Sequence, residues 1–123
     1  MIDDVLGRFA THGLDLLARE DPALHACLVR EYHRQLATLT MVAASSVADP
    51  SVLVCEGLAT TNVTTEGYPG ARFHAGCAVV DEIERLAIER AKAAFGARYA
   101  NVQPHSGTSA NEAVLLEIGR AHV

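Results

Sequence analysis

The sequence predicts a mostly α-helical chain broken by two tight turns, and three observations carry that expectation. Asp21-Pro22 is followed by Leu24, Leu28, Tyr32 and Leu36, an apolar residue at every fourth position of one side. Ile83, Leu86, Ala87, Ala91, Ala94 and Phe95 form a second apolar stripe at helical spacing, which Gly96 closes. Two small-residue motifs punctuate the rest: Thr65-Glu-Gly-Tyr-Pro-Gly70, and Gln103-Pro-His-Ser-Gly-Thr-Ser-Ala-Asn111, which opens an apolar run.

In chain order, Met1 to Glu20 reads as a short amphipathic lead. Phe9, Leu14, Leu16 and Leu17 can pack on a neighbour, while Gly7 and Gly13 weigh against a long helix. Asp21 as N-cap and Pro22 at the first helical position start a helix that should run to about Leu39. Its Glu31, Arg30 and Arg34, with Arg19 before it, read as solvated charges. His25 and His33 are too far apart in sequence to share a metal directly. Thr38 to Val47 reads as an extended link, and Asp49-Pro50 caps a short helix over Ser51 to Leu58. Ala59 to Thr65 is Thr-rich and reads as loop. Asp81 with Glu84 three residues on has the form of a capping box for the helix behind it. Tyr99 to Gln103 is a short predicted strand, and Ser109 to Leu116 a predicted helix.

Composition narrows the function classes. The 123 residues suffice for one domain at most, with half of them hydrophobic and a fifth charged, the balance of a soluble globular protein. A net charge of −5 leaves no basic footprint for nucleic acid. No apolar run approaches membrane-span length, and Asp3 and Asp4 stand where a signal peptide carries positive charge. Cys27, Cys55 and Cys77 are odd in number and far apart, so they read as free thiols in a reducing cytoplasm rather than a metal site or a disulfide framework.

Two places can carry chemistry. Gly67, Pro69 and Gly70 stiffen the backbone around Glu66, which puts a carboxylate on a turn rather than in a helix. Ser106, Gly107 and Thr108 offer backbone N–H groups and two hydroxyls where a helix begins, a combination suited to a phosphate. Taken alone, the second motif reads rather as a Ser/Thr helix cap, and Glu66 as a surface turn acid. His105-Ser106 is not read as a hydrolase pair, because adjacent residues do not face each other as base and nucleophile and no G-x-S-x-G elbow is present.

Glu66-Gly-Tyr-Pro-Gly70, Arg72, Gly76-Cys77, Val80-Asp81, and Ala100 to Gly107 with Ala110-Asn111 strongly resemble the serine hydroxymethyltransferase family. The resemblance is ungapped from about Asp21 to Leu116 and covers only the beginning of such an enzyme. It implies an α/β, fold-type-I pyridoxal-phosphate transferase (aspartate-aminotransferase-like), of which this N-terminal fragment is itself mostly α. Residues 1–50 would be a helical arm and residues 51–116 the start of the pyridoxal-phosphate-binding large domain. Pyridoxal 5′-phosphate is the implied cofactor and tetrahydrofolate a candidate co-substrate. Ser106, Gly107 and Thr108 are implied phosphate ligands. Glu66 is the implied catalytic carboxylate, on a loop that reaches toward the partner subunit's cofactor in a homodimer or homotetramer. Phe73 stands where the family has a tyrosine that stacks on folate; on its residue type alone it reads as a core aromatic.

The sequence also departs from the family. Ala44, Ser45 and Ser46 replace a Ser-Glu-Asn signature, Thr64 replaces the tyrosine before the glutamate motif, and His74 replaces the second tyrosine after it. Thr64, Phe73 and His74 are thus the substrate- and folate-side positions. Their pattern suggests a threonine transaldolase, exchanging acetaldehyde for another aldehyde without folate, as the alternative to a hydroxymethyltransferase. The family's cofactor-bearing lysine has no counterpart here: Lys92 is the only lysine and falls inside a predicted helix, so this stretch alone is expected to be inactive. A short protein that binds a phosphate or a partner without catalysis is the alternative from another class. Finally, Glu117 to Val123 translate GAGATCGGAAGAGCACACGTC, a common short-read sequencing adapter. This run, His122 included, is expected to be an artefact, with the natural sequence diverging at about Leu116.

Overall fold

The computed structural model describes residues 4–120, so the end of the adapter-like run, with His122, lies outside the described residues. Two compact units divide the chain, Met1–Asn62 and Val63–Val123.

The first unit is helical. α1 spans Val5–Glu20, α2 Pro22–Ala37 and α3 Pro50–Glu56, with a 3₁₀ turn over Ala59–Asn62 where a plain loop was expected. Each helix begins on an aspartate whose side chain accepts an N–H of the first turn. Asp4 takes the N–H of Gly7 at 3.0 Å, Asp21 that of Leu24 at 2.9 Å, and Asp49 that of Ser51 at 2.8 Å. A cap of this kind contributes about 1 kcal/mol.

The long α1 corrects the expectation that Gly7 and Gly13 weigh against a long helix. A glycine costs only about 1 kcal/mol in a helix, and the Asp4 cap together with packing of α1 on α2 offsets it. Leu28 and Tyr32 of the α2 stripe remain half-exposed. Glu31 is not merely solvated: Arg34 and then Gln35 hydrogen-bond it and hold its carboxyl at about 2. Between α2 and α3 the backbone is irregular, with a turn in which the Ser45 N–H donates to the Val42 carbonyl at 3.0 Å. Ala44, Ser45 and Ser46 lie there, all exposed.

The second unit carries a hairpin and two helices. β1 (Gly67–Tyr68) and β2 (Ala71–Arg72) pair antiparallel, Gly67 opposite Arg72 and Tyr68 opposite Ala71. α4 spans Ala78–Phe95 and α5 Gly107–Arg120. Gly96 terminates α4 in the left-handed region at φ 61°, and the Ala97 N–H returns to the Lys92 carbonyl at 3.0 Å. The expected strand at Tyr99 to Gln103 is absent. A strand exists only as part of a ladder, and no other strand lies alongside this segment among the described residues. Asp81 and Glu84 do not form a capping box either. α4 starts three residues earlier, at Ala78 behind Cys77, which makes no side-chain cap bond, so Asp81 falls inside the first turns and turns to another partner.

Among the described residues only Cys77 and Asp81 are buried. The α4 stripe is open, Ile83 and Leu86 being about half exposed and Phe95 85% exposed. No described helix is long and apolar enough to cross a membrane.

Candidate active site

The site is built on the hairpin and held by one guanidinium. Gly67 and Gly70 adopt φ +102° and +82°, a region closed to most L-residues, and a Cβ on Gly67 would run into the Ala71 carbonyl oxygen. The chain therefore reverses at Pro69-Gly70, three and four residues after Glu66. A two-stranded hairpin this short is not stable by itself, and Arg72 supplies the missing support. Its Nε donates to Asp81 Oδ1 at 2.8 Å and its Nη2 to Glu84 Oε2 at 2.6 Å. Its Nη1 donates to the carbonyls of Thr65 at 2.7 Å and Gly67 at 2.9 Å.

The other oxygen of Asp81 accepts the Gly70 N–H at 2.7 Å. Gln103 closes the ring, its Nε2 donating to the Gly67 carbonyl and to Glu84 Oε1 at 2.9 and 2.8 Å. The side chains of Arg72, Asp81 and Glu84 are only 6%, 12% and 12% exposed, so this is an interior ion network in which every partner is matched. Asp81 is held below the ordinary aspartate range, first by the Arg72 guanidinium and then by the Gly70 N–H. The Arg72 guanidinium is correspondingly held above its usual value by Asp81 and then Glu84.

Cys77, buried at the start of α4, points its thiol at the carbonyls of Thr64 (3.4 Å), His74 (3.5 Å) and Ala75 (3.8 Å), which brings the two ends of the hairpin segment together. Consequently three of the sequence-predicted residues, Thr64, Glu66 and His74, belong to one mount. The Phe73 N–H donates to the Glu66 carbonyl at 3.0 Å, extending the pairing one step beyond β1 and β2. The Glu66 carboxylate is open to solvent, with His74 Nε2 3.6 Å from its Oε2. Phe73 is 77% exposed, which corrects its reading as a core aromatic and leaves a ring face free. An open cleft of about 480 Å³ beside the hairpin is lined by Thr65, Glu66, Arg72, Glu84, Gln103 and His105.

Ser106 caps α5: its Oγ accepts the Ser109 N–H at 3.1 Å and its carbonyl the Ala110 N–H at 3.1 Å. Of the four N–H groups that a helix start leaves unpaired, that of Ser109 is taken by the Ser106 hydroxyl, and those of Gly107 and Thr108 have no partner among the described residues; the Ala110 N–H makes the first regular helix bond. Nothing lies within 4 Å of a Cβ built on Gly107, and Ser106, Gly107 and Thr108 are all exposed. Two free N–H groups, two hydroxyls and the positive end of a 14-residue helix form a donor set that fits a phosphate group. No cluster of three or more His, Cys, Asp or Glu suited to a metal occurs among the described residues. All three cysteines are free.

Sequence reading missed Asp81, Glu84, Gln103 and Cys77 as parts of the site. The available signal was an acid pair at i and i+3 just after an arginine-bearing Gly-Pro turn, with no Ser or Thr three residues before the pair to make it a cap.

Comparison with known proteins gives the family of the chain. The family model described as serine hydroxymethyltransferase matches residues 17–122. Serine hydroxymethyltransferase of Endomicrobium trichonymphae is 47% identical over 105 residues, 85% of this chain and 25% of that protein. The enzyme of the same name from Alkalilimnicola ehrlichii is 51% identical over 102 residues, 83% of this chain and 24% of the relative. Serine hydroxymethyltransferase 1 of Pseudomonas fluorescens is 50% identical over 98 residues, again 24% of that protein. The chain spans about a quarter of the length of the curated relatives it matches. It belongs to the serine hydroxymethyltransferase family.

Proposed function

We infer that this chain is the N-terminal part of a fold-type-I, pyridoxal-phosphate-dependent transferase that makes or breaks the Cα–Cβ bond of serine, glycine or threonine. The observation that carries this reading is the exposed Glu66 carboxylate on a hairpin fixed by Arg72. When bound, the cofactor supplies an electron sink for the bond cleavage. Ser106, Gly107 and Thr108 would hold its phosphate.

Glu66 acts on the substrate's hydroxyl. It accepts the proton from that oxygen as the Cα–Cβ bond breaks and returns it in the reverse direction. The mount matters because a general base must be held in place without a fresh ordering cost at each turnover. Phe73 offers its exposed ring as a stacking surface for a folate. The working enzyme is a homodimer or homotetramer in which this hairpin serves the partner subunit's cofactor, and it acts in the cytoplasm, a compartment its free thiols suit.

Thr64 and His74 favour a second reading, a threonine transaldolase working without folate. Both residues sit on the hairpin segment that carries Glu66. A site that has exchanged polar partners discriminates against substrates whose polar groups it leaves unpaired. The test is a paired assay of the full-length enzyme with pyridoxal phosphate. One arm offers serine and tetrahydrofolate, the other threonine and a panel of aldehydes. Folate-dependent glycine formation supports the hydroxymethyltransferase, aldehyde exchange supports the transaldolase, and neither product overturns the reading.

A further inference from the structure

Glu66 lies one residue before β1 and His74 two residues after β2, and their side chains meet at 3.6 Å, Nε2 to Oε2. That is ion-pair distance, and a small rotation of either exposed side chain closes it to a hydrogen bond. The Glu66 carboxylate has no other hydrogen bond or ion pair among the described residues. Arg72, on the same hairpin, spends its guanidinium on Asp81, Glu84 and two carbonyls.

The neighbouring charged groups of α4 are engaged elsewhere. On α4, Asp81 and Glu84 are bound to Arg72, and Arg85 lies 3.5 Å from Asp81. The Cys77 thiol faces backbone carbonyls, that of His74 among them. His105 lines the cleft beside Glu66. Both members of the Glu66–His74 pair are open to water, His74 at 52% and Glu66 at 68% exposure. A carboxylate whose single partner is a solvent-facing imidazole has a route for a proton to bulk water.

We propose that His74 is the relay through which Glu66 exchanges its proton with solvent. This rests on the reading of Glu66 as the proton-handling carboxylate, and His74 acts through Glu66 rather than on the substrate. The proton taken by Glu66 Oε2 from the substrate hydroxyl passes to the lone pair of His74 Nε2. The imidazole then loses its Nδ1 proton to water. The carboxylate is thereby regenerated, and the ring ends as the other neutral tautomer, which a second exchange with water resets. Imidazole is suited to this step because it both gains and loses a proton in the physiological range.

The experiment uses the full-length enzyme with pyridoxal phosphate. It measures kcat and KM for amino-acid cleavage from pH 5.5 to 9, in weak buffer and with added imidazole. Variants are Glu66→Gln, His74→Ala and His74→Gln, with circular dichroism and cofactor absorbance reporting that each is folded and loaded. Both His74 variants should lose about tenfold in kcat in weak buffer, with KM within about twofold, less than the roughly 10²–10⁴-fold of a group that acts on the substrate itself. Added imidazole should restore His74→Ala and leave Glu66→Gln unrestored. His74 variants with unchanged kcat and buffer response, beside a dead Glu66→Gln, would overturn the relay and leave the Glu66 reading standing. A loss that imidazole does not restore, with an unchanged pH profile, overturns it as well. Full activity of Glu66→Gln removes the underlying reading and the relay together.

Discussion

Asp81 Oδ1 stands 2.8 Å from Arg72 Nε, tying the first turns of α4 to the second strand of the hairpin. Arg72 and Gly70 both stabilise the ionised carboxylate, so its folded-state pKa lies below the ordinary aspartate value. A depressed carboxyl contributes stability above its unfolded pKa, about 3.9, and that contribution is lost as pH falls through the lower folded value. Exchange protection of the Gly70 amide should therefore hold at neutral pH and decline as acid is added below about pH 4. In Asp81→Asn the protection should be lower at neutral pH and nearly flat through the acid range. Hydrogen exchange read by mass spectrometry checks both.

Gly67 is a second point of failure. At φ +102°, with the Ala71 carbonyl where a Cβ would go, Gly67→Ala should strain or open the hairpin at a cost of about 1–3 kcal/mol. Gly13→Ala has open space around it and lies inside a helix, so it should be neutral or stabilising by up to about 1 kcal/mol. Thermal unfolding of the two variants should move in opposite directions.

At the start of α5, helix capping and phosphate binding are separable. Ser106→Ala removes the cap oxygen and should cost about 1 kcal/mol of stability. Thr108→Ala leaves that cap in place. If the turn binds the cofactor phosphate, Thr108→Ala alone should weaken pyridoxal-phosphate affinity by about 1–3 kcal/mol, the loss of a hydrogen bond to an anion. Cofactor titration followed by absorbance reads this, and an unchanged affinity would reduce the turn to a helix cap.

Lys92 should not carry the cofactor. It lies in α4, where Glu89 holds its Nζ at 2.9 Å. The 123-residue chain mixed with pyridoxal phosphate should give no yellow, borohydride-trappable adduct specific to Lys92. Peptide mapping after reduction checks this.

How much of this was legible depended on where the signal lay in the chain. Asp21-Pro22, Asp49-Pro50 and Gly96 announce helix boundaries because cap chemistry is local, and all three act as read. The first helix was not legible, because its glycines count against it locally while the Asp4 cap and the α2 surface that favour it do not show as periodicity. Tyr99 to Gln103 has strand-like residues but no strand to pair with, and pairing is not encoded in the segment itself. Glu66 and His74 were each singled out, yet their approach follows from a hairpin register that only the Gly67 and Gly70 turns define. The hydrogen bonds of Arg72 itself join residues 5 to 12 positions apart across a turn, a spacing that belongs to no regular period.

The way Ser106 caps α5 bears on how quickly an oxyanion can be taken up. A serine hydroxyl has two acceptor lone pairs and one donor, and holding the Ser109 N–H uses a single lone pair. Ser109 Oγ, 3.1 Å away, can supply the proton of the hydroxyl–hydroxyl contact, which leaves that of Ser106 to swing outward. The Gly107 and Thr108 residues beside it are exposed. An arriving phosphate thus meets donors that need only a bond rotation, and no turn of helix has to unwind first. Association at this turn should be governed by encounter, and selectivity among anions by how fast each one leaves.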